Sequence, residues 1–126
     1  MKIRTVAILL CALVVGLVAG WFSKTYLDTR TDHALSLLAL NQAHKATRSR
    51  DVQKAIFYAT QATLANPSNY LAQLSLAEIY EQAGHKQMAL DSYQEALRLL
   101  RAERGGQNEE SNLQKKIEQL RALNTQ

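Results

Sequence analysis

Proline and cysteine are almost missing from this chain: Pro67 and Cys11 are single in 126 residues, and glycine occurs five times. One cysteine excludes an internal disulfide and a cysteine-ligated zinc site. Cys11 is also a poor lipidation site. Ile8, Leu9 and Leu10 precede it where a small residue is wanted, and the apolar run continues beyond it. The scarcity of proline and glycine leaves few interruptions. Alanine, leucine, glutamine and lysine or arginine dominate instead, and these side chains lose little freedom in a helix. An excess of one charge is lacking too. Of 15 basic residues, Lys2 and Arg4 precede the apolar run, and the remainder nearly balance 11 acidic residues with signs interspersed. No basic stripe for nucleic acid emerges, so nucleic acid is not an expected partner.

Long apolar runs are limited to one. Thr5 to Phe22 reads TVAILLCALVVGLVAGWF, without a charge. As a helix it would span about 27 Å, close to the thickness of a bilayer core. Lys2 and Arg4 before it should stay cytoplasmic. Trp21, Phe22 and Tyr26 gather at its far end, where rings suit the membrane interface. Two readings follow. One is an uncleaved anchor, which the length of the run favours. The other is a signal peptide cut near Val18-Ala19-Gly20. Both export the rest of the chain, into the periplasm if the source is bacterial. Gly16 and Gly20 also have the G-x-x-x-G spacing of associating membrane helices, a spacing common by chance. The juxtamembrane stretch 23–31 should extend the helix by a turn or two before a break near Asp32.

The soluble part carries an internal period. Shifting 36–65 by 34 residues onto 70–99 gives identity at Leu37/Leu71, Leu40/Leu74, Ala43/Ala77, Gln53/Gln87, Ala55/Ala89 and Ala62/Ala96. Three of these are alanines, which allow helices to approach closely. Leu71, Leu74, Ala77, Ile79 and Tyr80 recur at helical spacing and stop at Gly84. Leu90, Tyr93, Ala96, Leu97 and Leu100 resume it. Gly84 fits a left-handed turn. Pro67 ends one helix and Ser68 can cap the next. The spacing predicts helices at Asp32–Arg48, Val52–Ala65, Ser68–Ala83, Lys86–Glu103 and Glu109–Leu123, with Gly105-Gly106 ending the fourth. The fifth places Leu113, Ile117, Leu120 and Leu123 on one face, suited to covering the end of the array.

The second copy resembles the tetratricopeptide repeat, a helix–turn–helix unit of 34 residues. Leu76-Ala77-x-x-Tyr80 stands for that family's Leu-Gly-x-x-Tyr, and Ala89-x-x-x-Tyr93-x-x-Ala96 for its Ala-x-x-x-Phe-x-x-Ala. Gln73 replaces the opening tryptophan and Arg101 the closing proline. The first copy is more degenerate. It keeps Ala43, Ala55, Ala59 and Ala62 and closes with Pro67, but lacks the aromatics. With the apolar run and the helical spacing, the resemblance, which covers about 36–101, implies an all-α protein: an N-terminal transmembrane or signal helix (1–31), an α-α superhelix of two hairpins (32–104, repeats 36–69 and 70–103) and a capping helix (105–126).

The resemblance further implies a protein-binding surface on the first helix of each pair. The matching residues are Leu37, Leu40, His44, Thr47 and Arg48, then Leu71, Leu74, Glu78, Glu81 and Gln82. Leu40 and Leu74 stand where a carboxylate clamp would want polar groups, and Glu78 would repel the anion. An apolar or amphipathic partner segment fits better. The competing reading is that these leucines simply pack between helices. Two repeats fall short of the roughly three such arrays need, so self-association or docking on a larger partner is expected. No phosphate loop, paired-histidine spacing or nucleophile elbow occurs. Neither catalysis nor a cofactor or metal is expected.

Overall fold

A computed structural model describes residues 2–103 and 106–124; for 2–12, 22 and 25–29 the backbone alone is described. Five α-helices and no strand occur among the described residues: α1 (Lys2–Arg48), α2 (Val52–Ala65), α3 (Tyr70–Gln82), α4 (Lys86–Ala102) and α5 (Gln107–Asn124). The chain divides into two compact units, 1–32 and 33–126.

In the first unit the backbone is helical without interruption from Lys2 onward. The break expected near Asp32 is absent, and α1 continues to Arg48. The physical reason is local: no proline or glycine lies between Gly20 and Arg48, and a single aspartate costs a helix only a few tenths of a kcal/mol. Leu13, Val14, Val15, Leu17, Val18 and Trp21 are exposed. Among the described residues no helix is long and apolar enough to cross a membrane. Half of the apolar run 5–22, Cys11 included, has side chains outside the described residues.

The second unit is a stack of antiparallel hairpins. Asp51 caps α2, its carboxylate accepting from the Lys54 N–H at 3.2 Å. Asn66 is extended, as a residue before proline must be, and α2 stops at Ala65. The α3 cap is Asn69, not the expected Ser68. Its side chain accepts from the Leu71 N–H at 3.1 Å, while the Ser68 hydroxyl donates to Asn66 Oδ1. The turn therefore takes two more residues than the sequence indicates.

Both hairpins turn in the same way. The Asp51 N–H reaches Ala46 O at 3.0 Å, and the His85 N–H reaches Tyr80 O at 2.9 Å. Each bond closes a helix end through one left-handed residue. In the second hairpin that residue is Gly84, at φ 79°; in the first it is Arg50, at φ 58°. Gly105, the other expected helix stop, lies outside the described residues, and α4 ends at Ala102.

The core follows the repeat. Ala43, Ala46, Ala55 and Ala59 pack with Leu76 and Ile79 of the next hairpin. Leu40, Ala62 and Ala72 form a second cluster. Ala77 and Ala89 are fully buried together with Leu90, Tyr93, Ile117 and Leu120. The small side chains thus sit where helices of a pair, and successive pairs, cross. α5 packs on α4 as α3 packs on α2. Leu113, Ile117 and Leu120 are its buried face, whereas Leu123, expected on that face, is exposed. Arg101 of α4 holds Glu110 at the start of α5, at 2.7 Å.

Candidate protein-binding surface

The first-helix positions are distributed unevenly over the structure. Leu40 is buried against Ala62 and Ala72, so it packs between helices. Leu37 and Leu71, one repeat apart, are about half exposed (50% and 47%). His44, Arg48, Glu78 and Gln82 are exposed, and Thr47 is half-buried. A small cavity of about 270 Å³ between the first turn and α3 brings Thr47 to Gln82, with Arg50, Val52, Ala55 and Ile79 around them.

Four expected residues converge elsewhere. Leu74, Glu78, Glu81 and Gln82 line one side of a cleft of about 490 Å³. Asn112, Leu113 and Lys116 of α5 line the other, and Tyr93 of α4 is also in its lining. The sequence reading missed these last four residues. Its own period could have found them. A further shift of 34 carries His44 to Glu78 to Asn112, and Arg48 to Gln82 to Lys116. The capping helix therefore occupies the register of a third first-helix and lines the cleft as well as covering the end of the array.

The electrostatics of the cleft separate its two glutamates. Glu81 accepts from the Tyr93 hydroxyl at 2.8 Å and pairs with Lys116 at 2.8 Å. Desolvation pushes its carboxyl upward, but the bonds from Lys116 and Tyr93 and the Lys116 charge outweigh this, and the net direction is below its ordinary value. Burial raises the Tyr93 phenol, and the Glu81 carboxylate beside it adds to the shift. Glu78 is different. Desolvation is the largest influence and raises its carboxyl; His44 and Lys116 oppose this, and Glu81 reinforces it. One acid is thus bound within the protein, and its neighbour one turn earlier keeps an outward-facing carboxylate.

No family model and no curated protein matches the chain. Its structure is similar to that of a tetratricopeptide repeat domain protein from Salinibacter ruber solved by solution NMR. The match has a TM-score of 0.63 at 19% identity, covering 70% of this chain and 88% of that one. The fold is tetratricopeptide-like. That likeness concerns architecture alone. Among the described residues no group of three or more His, Cys, Asp or Glu side chains could hold a metal ion. The cleft offers a contact surface with apolar walls and a polar rim.

Proposed function

We propose that this protein is a membrane-tethered scaffold whose tetratricopeptide-like domain holds a partner protein of the cell envelope, as an accessory to assembly or biogenesis. The observation that carries the reading is the repeated pair Leu37 and Leu71. These large apolar side chains recur at the same helix position and stay half exposed, although each has buried neighbours on the same helix. Leaving half of each leucine in water forgoes roughly 0.8–1.5 kcal/mol of burial per copy, and a docked segment would recover it. His44, Arg48, Glu78 and Gln82 provide the polar margin.

The tether rests on a second argument. Leu13 to Val18 and Trp21 are exposed on a continuous helix. Such a surface needs cover, and lipid supplies it along the whole of 5–22. The positive residues Lys2 and Arg4 then set the N-terminus in the cytoplasm and export the domain. Cleavage of the segment would instead release a soluble exported binding protein.

Crosslinking in native membranes tests the surface. A specific partner should be recovered and then lost on Leu37→Asp and Leu71→Asp, which change exposed side chains and should keep the fold. Recovery unchanged by both substitutions would refute the assignment. Alkaline extraction combined with N-terminal sequencing tests the tether. An intact N-terminus retained in the membrane pellet is expected; a mature start near Trp21 in the soluble fraction would replace the tether with the released form.

A further inference from the structure

The cleft between α3 and α5 restricts what the partner presents. Its walls are apolar. Leu74 is half-buried on α3, Leu113 faces it from α5, and about 490 Å³ lies open with Tyr93 in the lining. That space accommodates one or two large side chains, and pockets of this kind take apolar anchors with a few polar groups fixing orientation. The polar groups here are not equivalent. The Lys116 ammonium is held by Glu81 Oε1, and the other oxygen of Glu81 is held by the Tyr93 hydroxyl. Glu81 and Lys116 therefore neutralise each other at the rim. Among the described residues Glu78 makes neither kind of bond, and its carboxylate stands on the exposed side of α3 beside the cleft mouth. Its charged neighbours are Glu81 on its own helix, Lys116 on α5 and the titratable His44 on α1. With Lys116 engaged by Glu81, the rim beside Leu74 carries one uncompensated negative charge.

We infer that the partner inserts an apolar side chain between Leu74 and Leu113 and places a lysine or arginine next to it on Glu78. This rests on the protein-binding reading above and specifies the partner as a basic amphipathic segment. The charge complementarity also has a second sign: an acidic side chain at the same place would meet Glu78 while Lys116 is already held by Glu81. Partner choice is then set by repulsion as much as by attraction. Desolvation of the Glu78 carboxyl works in the same direction, since a cation brought against it restores the charged form that the cleft disfavours.

The test uses the full chain in detergent micelles, a random peptide library displayed on phage, and Glu78→Gln, Glu78→Lys, Leu74→Asp and Asn112→Lys variants, each checked for native helicity. The expected peptides join a leucine, methionine or phenylalanine to a lysine or arginine. Glu78→Gln should weaken them about tenfold or more, the loss of a charge-assisted contact. Glu78→Lys should select acidic peptides instead. Asn112→Lys, at an exposed position across the cleft, should weaken the basic peptides even if Leu74→Asp unfolds the domain. Peptides that depend on the cleft yet lack a basic residue, or ignore Glu78→Gln, overturn this inference and leave the scaffold reading standing. Peptides unaffected by every cleft variant and by Leu71→Asp, or no enriched peptide at all, overturn both.

Discussion

The two hairpins reach the same geometry with different side chains. Each turns through one left-handed residue, and each has alanines at the crossings. The second fills the remaining space with size: Leu90, Tyr93, Leu99 and Leu100 are buried in α4. In α2 the buried residues are only Ala55, Ala59 and Ala62. Ala59 stands where Tyr93 stands, and Ala46 where Tyr80 stands. The first hairpin makes up part of the difference with polar bonds. The buried Ser36 hydroxyl donates to Ala62 O at 2.9 Å and accepts from Asn69 Nδ2 at 3.2 Å. Asn66 Nδ2 lies 3.2 Å from His33 Nδ1. Small side chains and internal hydrogen bonds therefore stand where the second hairpin has aromatic volume. The lesson is that sequence degeneracy in the first copy reflects a second packing solution, not a weaker version of the first.

The largest effect expected from this contrast is at Tyr93. Tyr93→Ala should destabilise the full chain by about 3–5 kcal/mol, the range for deleting a buried aromatic ring. Tyr93→Phe keeps the ring and removes the bond to Glu81, and about 1 kcal/mol is expected. Urea unfolding in mild detergent, followed by helix signal, measures both. Equal losses from the two variants would show that the hydroxyl, and not the volume, holds this hairpin. The converse substitution, Ala59→Tyr, should overpack the first hairpin by about 1–3 kcal/mol. A neutral result there would mean the first hairpin has room that its alanines do not fill.

Next comes Ser36. Ser36→Ala removes the acceptor of a buried Asn69 amide, and a loss of about 1–3 kcal/mol is expected. At the equivalent position the second repeat has the half-buried Tyr70, whose side chain faces Glu109 of α5 instead. Ser36→Ala with no effect on urea unfolding would break the claim that polar bonds replace volume in the first hairpin.

Acid should separate the hairpins as well. The folded-state value of Glu81 is below its ordinary 4.5. Its contribution is therefore fully present above about pH 4.5 and fades as pH falls through the lower folded value. That contribution ties α5 to α3 through Lys116. The exposure of α5 amides to hydrogen exchange should rise in this acid window before that of α2. Lys116→Met should remove much of the pH dependence. Simultaneous loss of both regions, unchanged by Lys116→Met, would assign acid sensitivity elsewhere.

Much of this was readable in the sequence, for identifiable reasons. The pairs Ala43/Ala77, Ala55/Ala89 and Ala62/Ala96 are visible because close approach of helices tolerates few other residues. Gly84 is visible because glycine marks a left-handed turn. Ser36 carries no such mark, since a buried serine looks like a surface one until its partners are known. Ser68 and Asn69 are both good capping residues, and only the backbone path after Pro67 selects Asn69. The break placed near Asp32 misjudged a weak local preference against an otherwise uninterrupted helix. The surface was half legible. Glu78, Glu81 and Gln82, which the tetratricopeptide resemblance singled out, line the cleft, but Asn112 and Lys116 required the third copy of the period, which α5 continues without the alanine signature. The Tyr93–Glu81 bond joins two helices across a turn and leaves no local signal.

The smallest effect sharpens the comparison most directly, because it concerns one backbone position seen twice. Arg50 and Gly84 are 34 residues apart and both have positive φ, 58° and 79°. The conformation crowds a side chain's Cβ, which costs an L-residue roughly 1–2 kcal/mol, whereas glycine adopts it freely but loses more chain entropy on folding. Arg50→Gly should therefore stabilise the protein slightly, by about 0.5–1 kcal/mol. Gly84→Ala should destabilise it by about 1 kcal/mol. The space around Gly84 is open, with no atom within 4 Å of an added Cβ, so that cost is backbone strain less the chain entropy an alanine saves, with no steric clash in it. If the two substitutions give changes of opposite sign and similar size, the first hairpin carries strain that the second avoids. If Arg50→Gly destabilises instead, the arginine must make up for its backbone through its contacts beside Thr47 and Gln82, and the first turn would then be held by its side chains where the second is held by its glycine.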